Sequence, residues 1–72
     1  MKPLEIKGAR TRLGLSQKDM AKQLNIAEPS YSKKECGRTR FTDSEKVIVA
    51  QVLGLTAAQV NDYFFDGMMP TA

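Results

Sequence analysis

Histidine is absent from this chain of 72 residues, so the sequence lacks the side chain that most often serves as a general acid–base group and as a metal ligand. The Asp, Glu and Cys residues show no metal-ligand spacing, and no glycine-rich phosphate loop is present. A nucleophile such as Ser32 or Cys36 would lack the usual base beside it. We therefore expect neither catalysis nor a bound cofactor.

Long apolar runs and paired cysteines are missing as well. No stretch approaches the roughly 20 apolar residues that a membrane-spanning helix needs. Charged side chains interrupt the N-terminal positions, which argues against a signal peptide. Cys36 is the only cysteine and cannot form an internal disulfide, as suits a reducing compartment. These features predict a cytoplasmic protein that has no membrane partner.

The charge is unevenly distributed within a composition typical of one small globular domain, with 42% hydrophobic and 26% charged residues. Residues 1–40 hold ten Lys or Arg and four acids, for a net charge of +6, whereas residues 41–72 hold one Lys and four acids, for −3. A basic half indicates a polyanionic partner such as nucleic acid. A solvated surface with a modest excess of lysine is the alternative interpretation.

Helix start and stop signals recur along the chain. In a capping box, a hydroxyl accepts from an early backbone N–H while an acid or amide reaches back to the cap residue. Three segments have this pattern, although the first has Asp where Glu or Gln is usual: 16–19, 42–45 and 56–59. Residues that tolerate the left-handed conformation follow the helical stretches: Gly14, Asn25, Gly37, Gly54 and Gly67.

Apolar residues between these signals are spaced three and four apart, which is typical of helices that bury one face, and strand alternation is absent. The sequence therefore predicts an all-α fold of five short helices that share one core, because helices of this length are not stable alone. The predicted helices lie near residues 3–13, 16–24, 28–36, 43–53 and 57–65.

Residues 16–37 have the spacing of a DNA-binding helix-turn-helix, with two short helices joined by a tight turn. Ala21 is small where the two helices must approach closely, and Asn25 lies where the turn needs a positive φ. Ile26 and Tyr31 supply the apolar contacts between the helices. The second and third helices are thus predicted to form a helix-turn-helix.

From about Ile6 to Phe65, the chain resembles the Cro/repressor helix-turn-helix family. The matching pieces are Leu15-Ser16-Gln17, Met20-Ala21, Leu24-Asn25-Ile26, Tyr31-Ser32-Lys33-Lys34-Glu35, Gly37, Val49-Ala50, Leu53-Gly54-Leu55 and Asp62-Tyr63-Phe64-Phe65. The short length and the Tyr31-to-Gly37 stretch resemble the small regulators of temperate-phage genetic switches, which include repressors, Cro-like proteins and antirepressors. The resemblance implies a lambda-repressor-like domain over residues 1–66, a flexible tail over 67–72, and a place in the cytoplasm of a bacterial host cell.

The resemblance also implies that the third helix enters the major groove of operator DNA. Gln17 matches a family position that contacts phosphate, since a helix N-terminus offers free N–H groups, and Lys33 could donate to guanine. The simpler interpretations are that Gln17 is only a good first-turn residue and that Lys33 is a solvated lysine. The residues assigned to DNA or partner binding are Gln17, Lys18, Ala27, Glu28, Pro29, Ser30, Ser32, Lys33, Arg38, Arg40 and Thr42.

Arg10 and Glu35 match two family positions that link the first helix to the end of the third. The resemblance implies a partly buried, bidentate ion pair, which would be costly to break by removing one member. The residue that follows, Cys36, is interpreted as a small filler or a partly exposed thiol rather than a redox site, because nothing nearby marks a thiolate.

The third helix departs from the family pattern in three ways. Ala27 replaces the usual Ser or Thr cap, Pro29 has no N–H to offer phosphate, and the outward positions carry no Gln, Asn or Arg. Such a surface also suits a protein partner. The alternative is therefore an antirepressor or corepressor that binds a phage repressor's helix-turn-helix domain, as a heterodimer. An antitoxin with the same domain is a third class.

Several apolar residues add to the protein-binding alternative: Ile48, Phe65, Met68, Met69 and Pro70. The opposing interpretation is that Phe65 completes the core and that the tail is disordered. The favoured hypothesis is a transcriptional regulator that binds operator DNA as a homodimer or together with a partner protein.

Overall fold

The computed structural model describes residues 1–65, and within them it contains five α-helices and no β-strand. The helices are α1 Pro3–Arg12, α2 Gln17–Leu24, α3 Glu28–Glu35, α4 Asp43–Leu53 and α5 Ala57–Phe65. The all-α fold is confirmed, and each helix begins and ends within one residue of its prediction. The predicted boundary at residue 66 and the tail over 67–72 lie outside the described residues. Over residues 1–65, the helices are too short or too polar to cross a membrane.

All three predicted capping boxes are formed. Before α2, the Ser16 hydroxyl accepts from the Asp19 backbone N–H at 3.0 Å, and the Asp19 carboxylate accepts from the Ser16 N–H at 2.8 Å. Asp therefore reaches back here as Glu or Gln usually does. The same reciprocal bonds precede α4 and α5, formed by Thr42 with Glu45 and by Thr56 with Gln59. These bonds satisfy early N–H groups and set where each helix starts.

Residues in the left-handed conformation end four of the helical segments, with φ between 56° and 86°: Gly14, Asn25, Gly37 and Gly54. After each one, the next backbone N–H donates to the carbonyl five residues earlier, which turns the chain back over the helix. We call each such residue, together with the one that follows it, a reversal. Leu15, Ile26 and Leu55 complete three reversals and pack against the core, whereas exposed Arg38 completes the fourth.

The core is built around four fully buried side chains, one from each of the first four helices: Ile6, Met20, Tyr31 and Val49. Phe41, between α3 and α4, packs against the rings of Tyr31 and Phe64, with centroid distances of 6.0 and 5.6 Å. The Lys2 backbone N–H donates to the Tyr63 carbonyl at 2.7 Å and joins the start of α1 to α5. Through Tyr31, α3 takes part in this core.

Candidate nucleic-acid interface

Helix α3 has one buried face and one outward face. Tyr31 and Glu35, about one turn apart, are buried against the rest of the domain, with 0% and 3% of their surface exposed. Ser32 is half-buried. The other predicted contact positions of this helix and its cap are exposed: Ala27, Glu28, Pro29, Ser30 and Lys33. The structure thus places the predicted contact positions of α3 outside the core.

The start of α3 is weakly capped. Ala27 precedes the helix and makes no side-chain cap hydrogen bond, and Pro29 occupies the first turn, where it offers no N–H. Glu28, in the same turn, is exposed and places a negative charge near the positive end of the helix dipole. This helix start therefore offers little to a phosphate group.

The buried face of α3 is held by Arg10 and Glu35. Arg10 Nε donates to Glu35 Oε2 at 2.8 Å, and Nη2 donates to Oε1 at 3.1 Å, so the contact is bidentate. Arg10 Nη1 also donates to the Leu15 carbonyl at 2.7 Å. The two side chains are 8% and 4% exposed, which is deeper than the partly buried pair that the resemblance implies. One guanidinium group therefore joins α1, the turn before α2, and α3.

Gln17, the first residue of α2, is half-buried and belongs to the same cluster. Its Nε2 donates to Glu35 Oε1 at 3.3 Å, a contact that the sequence analysis missed. Lys18, the next residue, is exposed. The start of α2 is therefore fixed to α3 through the Gln17 amide, while the predicted phosphate contacts of both residues stay predictions.

The Tyr31 hydroxyl is buried beside this cluster. Within residues 1–65 it has no hydrogen-bond partner of good geometry, although the Glu35 carboxylate is near. Burial and that carboxylate raise the pKa of Tyr31, so the phenol stays neutral. Burial also tends to raise the pKa of Glu35, but the hydrogen bonds from Arg10 and Gln17, together with the nearby Tyr31 hydroxyl, outweigh it, and the net shift is downward. The cluster therefore holds Glu35 as a carboxylate.

Acid is expected to remove the contribution of this cluster to stability. The folded-state pKa of Glu35 lies below its ordinary value of 4.5, so the carboxylate stabilises the fold above that pH and less as the pH falls through the folded-state pKa. Urea denaturation from neutral pH into acid measures this loss. We expect Glu35→Gln to be less stable than the wild type at neutral pH but to lose less stability in acid. Glu5→Gln, at an exposed acid of α1, is the control. Parallel acid dependence in the wild type and Glu35→Gln would contradict the prediction.

A second ion pair, which was not predicted from the sequence, ties the anchored side of α3 to α4. Lys34 Nζ donates to Glu45 Oε1, and the two side chains are only 16% and 12% exposed. The same oxygen accepts from the Thr42 N–H of the capping box. Partial burial tends to raise the pKa of Glu45, but the interactions with Lys34 and Thr42 lower it by more, and the net shift is downward. Lys34 is therefore a largely buried structural residue.

Exposed basic residues follow α3. The Arg38 backbone N–H donates to the Lys33 carbonyl at 2.9 Å and holds the start of this segment against the end of the helix. Arg38 and Arg40 are both exposed. Thr42, which was also predicted to flank the DNA backbone, uses its hydroxyl to accept from the Glu45 N–H. The Thr42 side chain thus has a structural role at the start of α4, and a DNA contact there stays a prediction.

A shallow cavity of about 300 Å³ lies where α1, α2 and α3 meet. Two predicted contact residues, Gln17 and Ser32, line it together with exposed Lys7 of α1. Lys7 is not among the residues predicted from the sequence, because spacing along the chain does not reveal how α1 crosses α3. Cys36 also lines the cavity; its thiol is exposed and donates to the Lys33 carbonyl at 3.4 Å. The cavity therefore adds one cation to the candidate interface.

This arrangement suits an anionic partner. Across the part of the chain that the structure describes, no group of three or more Cys, Asp or Glu side chains is placed to hold a metal ion. Exposed cations instead lie on α3 and on the segments that adjoin it: Lys7, Lys18, Lys33, Arg38 and Arg40. Cations attract the phosphate backbone, and a helix with one free face fits the width of the major groove.

Comparison with protein families agrees with this geometry. A family model described as helix-turn-helix matches residues 6–60, which are 55 of the 72 residues. The match spans most of α1, all of α2, α3 and α4, and the start of α5, and it includes both Arg10 and Glu35. No curated protein and no solved structure matches the chain.

Proposed function

Because this chain belongs to the helix-turn-helix family, we propose that it is a sequence-specific DNA-binding transcriptional regulator whose α3 lies in the major groove. The observation that supports this most is the construction of α3. Tyr31 and Glu35 anchor one face of the helix in the core, so that Lys33 and its neighbours are available to a partner. Exposed cations on the adjoining segments complete a surface suited to DNA.

In this proposal, base contacts come from α3 and phosphate contacts come from its surroundings. Lys33 donates to guanine O6 or N7, and Ser32 bonds either a base or a phosphate. Gln17 contacts phosphate at the start of α2, where the helix dipole adds favourable partial charge. The remaining cations contact the DNA backbone without sequence preference: Lys7, Lys18, Arg38 and Arg40.

The finer part of the proposal is a role in a phage-type genetic switch, in the cytoplasm of a bacterial host. It is supported by the resemblance of the Tyr31-to-Gly37 stretch to the small regulators of such switches. A single α3 contacts only a few base pairs. Binding as a homodimer, or with a partner protein, would place two such helices on half-sites about one helical turn apart.

The test is a titration of the purified protein against duplexes from its own locus and against a scrambled duplex of equal length, at one salt concentration. We expect a Kd of roughly 10⁻⁸ M or lower for one duplex of the locus, and at least about 10³-fold weaker binding to the scrambled duplex. Equal affinity for all duplexes would contradict sequence-specific binding.

Arg38→Ala and Arg40→Ala are expected to weaken binding to every duplex alike, because phosphate contacts carry no sequence information. Each change should also reduce the slope of log K against log salt by about 0.9, since one fewer counterion is released. The matched control is Arg12→Ala, at an exposed arginine of α1 outside the predicted interface, which should leave the slope unchanged. If neither Arg38→Ala nor Arg40→Ala alters the slope, this segment does not contact DNA.

A specific observation favours a second function. The first turn of α3 exposes Glu28 and Pro29 behind the uncapped start at Ala27. A carboxylate at this place repels phosphate, whereas a basic protein surface would attract it. The second proposal is therefore an antirepressor or corepressor. In it, α3 covers the helix-turn-helix domain of another repressor and blocks or alters that protein's DNA binding.

Glu28→Lys is expected to separate the two proposals. Against DNA, the change removes a like-charge repulsion and should strengthen binding, more so at low salt. Against a basic protein partner, it reverses an attraction and should weaken the complex. The measurement is a pair of titrations, one with a duplex from the locus and one with the neighbouring repressor's DNA-binding domain, and Glu5→Lys on α1 is the control. A wild type that binds the repressor tightly, but no duplex, would overturn the first proposal.

A further inference from the structure

The Gln17 amide is shared between the buried cluster and the proposed DNA surface. Its Nε2 donates to Glu35 Oε1 at 3.3 Å, yet the side chain is only half-buried and lines the shallow cavity together with Ser32 and Lys7. An amide nitrogen carries two hydrogens. Within residues 1–65, Glu35 accepts one of them and the other has no acceptor. The second hydrogen is therefore available to a phosphate group.

The Glu35 carboxylate is itself held in one position. Arg10 donates to both of its oxygens, at 2.8 and 3.1 Å, and the Glu35 side chain is only 4% exposed. Because the guanidinium group balances the charge of the carboxylate, Glu35 can accept from Gln17 without presenting an unpaired negative charge to a nearby phosphate. Glu35 Oε1 thus offers the Gln17 amide a fixed acceptor.

A fixed acceptor restricts the conformation of the Gln17 side chain. A glutamine side chain loses much rotamer entropy when it is immobilised. A DNA contact that must first order the side chain bears this loss on binding, whereas a side chain already ordered in the free protein avoids it. The capping box of Ser16 and Asp19 fixes the backbone of the same turn. Both the backbone and the amide of Gln17 are therefore set before DNA is bound.

We propose that Glu35 is a positioning residue for DNA binding, which holds the Gln17 amide so that its second Nε2 hydrogen is directed to a phosphate of the DNA backbone. This inference rests on the proposed function, because it names how one of the proposed phosphate contacts is prepared. Glu35 is 3% exposed and acts through Gln17 rather than on the DNA itself.

The test compares two backgrounds that differ only in whether residue 35 can accept a hydrogen bond. Arg10→Met/Glu35→Leu and Arg10→Met/Glu35→Gln both lack the buried charges, but only the second keeps a side-chain oxygen for Gln17. Gln17→Ala is expected to weaken operator binding about tenfold in the wild type and in the Glu35→Gln background. In the Glu35→Leu background, the expected effect is less than about twofold. Equal effects in all backgrounds would overturn the proposal.

Lys18→Ala is the matched control, at an exposed residue one position further along α2. Lys18 makes no hydrogen bond or ion pair with the buried cluster in the part of the chain that the structure describes. Its effect on operator binding should therefore be the same in every background. If the effect of Lys18→Ala vanished together with that of Gln17→Ala, the whole start of α2 would have moved, and the proposal would be overturned.

A neutral methylphosphonate placed at single positions of the operator backbone identifies the phosphate concerned. At one position, the substitution is expected to abolish the effect of Gln17→Ala in the wild type, because it removes the charge of the acceptor. The Arg10→Met/Glu35→Leu protein should be insensitive to that position but keep its sensitivity at the phosphates that Arg38 and Arg40 contact. Weakening at every phosphate alike would show that Glu35 is merely structural.

The last measurement uses the free wild-type protein and needs neither a variant nor DNA. Nitrogen relaxation should give the Gln17 Nε2 group a higher order parameter than the side-chain amide of Gln23, an exposed residue of the same helix. A Gln17 amide as mobile as that of Gln23, in a protein that binds its operator, would overturn this inference and leave the proposed function standing. An ordered amide in a protein that binds no duplex would contradict both.

Discussion

Arg10→Met is expected to lower the free energy of unfolding by about 3–5 kcal/mol. The change leaves the Glu35 carboxylate, whose side chain is 4% exposed, without its bidentate partner. It also removes the 2.7 Å hydrogen bond to the Leu15 carbonyl. A small domain has a total stability of about 5–15 kcal/mol, so a loss of this size is expected to lower the Tm steeply. Urea and thermal denaturation followed by circular dichroism measure the effect.

Two further variants control this prediction. Arg12→Met changes an exposed arginine of the same helix and should alter stability by no more than about 0.5 kcal/mol. Arg10→Met/Glu35→Leu removes both charges together and should recover most of the loss, because no uncompensated charge is left in the core. An Arg10→Met protein as stable as Arg12→Met would show that the pair has no structural role.

Lys33→Ala is expected to weaken specific DNA binding by about 1–3 kcal/mol, or between roughly five- and 150-fold, if Lys33 contacts guanine. The loss should be concentrated at one position of the operator, where substitution of the base pair should then matter less. Titration of the variant against the operator and against single-base-pair variants of it measures both effects. Lys22→Ala, at an exposed lysine of α2 outside the predicted interface, is the matched control.

Gln17→Ala needs a second readout, because the Gln17 amide donates to Glu35 as well as being a predicted DNA contact. A lower affinity with unchanged folding stability would assign the loss to DNA. A lower affinity that follows a lower stability would assign it to the buried cluster. If both Lys33→Ala and Gln17→Ala bind the operator as tightly as the wild type, α3 does not lie on the DNA.

The helix boundaries could be predicted closely because their signals are local. A capping box occupies four consecutive residues, and a left-handed residue such as Asn25 or Gly54 acts on the turn directly before it. Arg10 and Glu35 are 25 residues apart, and nothing in the spacing of the chain joins them. Their pairing was accessible only through the family resemblance.

Other features depend on tertiary packing that the sequence does not display. Lys34 pairs with Glu45 because α3 and α4 meet there, whereas the residue type alone suggests an exposed side chain. Lys7 comes to line a cavity with Ser32 because of the way α1 crosses α3. Thr42 shows the opposite difficulty, because its capping role was predicted correctly while the same residue was also assigned to the interface.

The separation of α3 into an anchored face and an outward face has a consequence for evolution and redesign. Its attachment to the domain relies on Tyr31, Lys34 and Glu35, while Glu28 and Lys33 are exposed. Exposed positions away from special contacts usually tolerate substitution within about 0.5 kcal/mol. A library that varies these outward positions should therefore stay folded almost throughout. New targets could then be acquired by small steps, each of which leaves the scaffold intact.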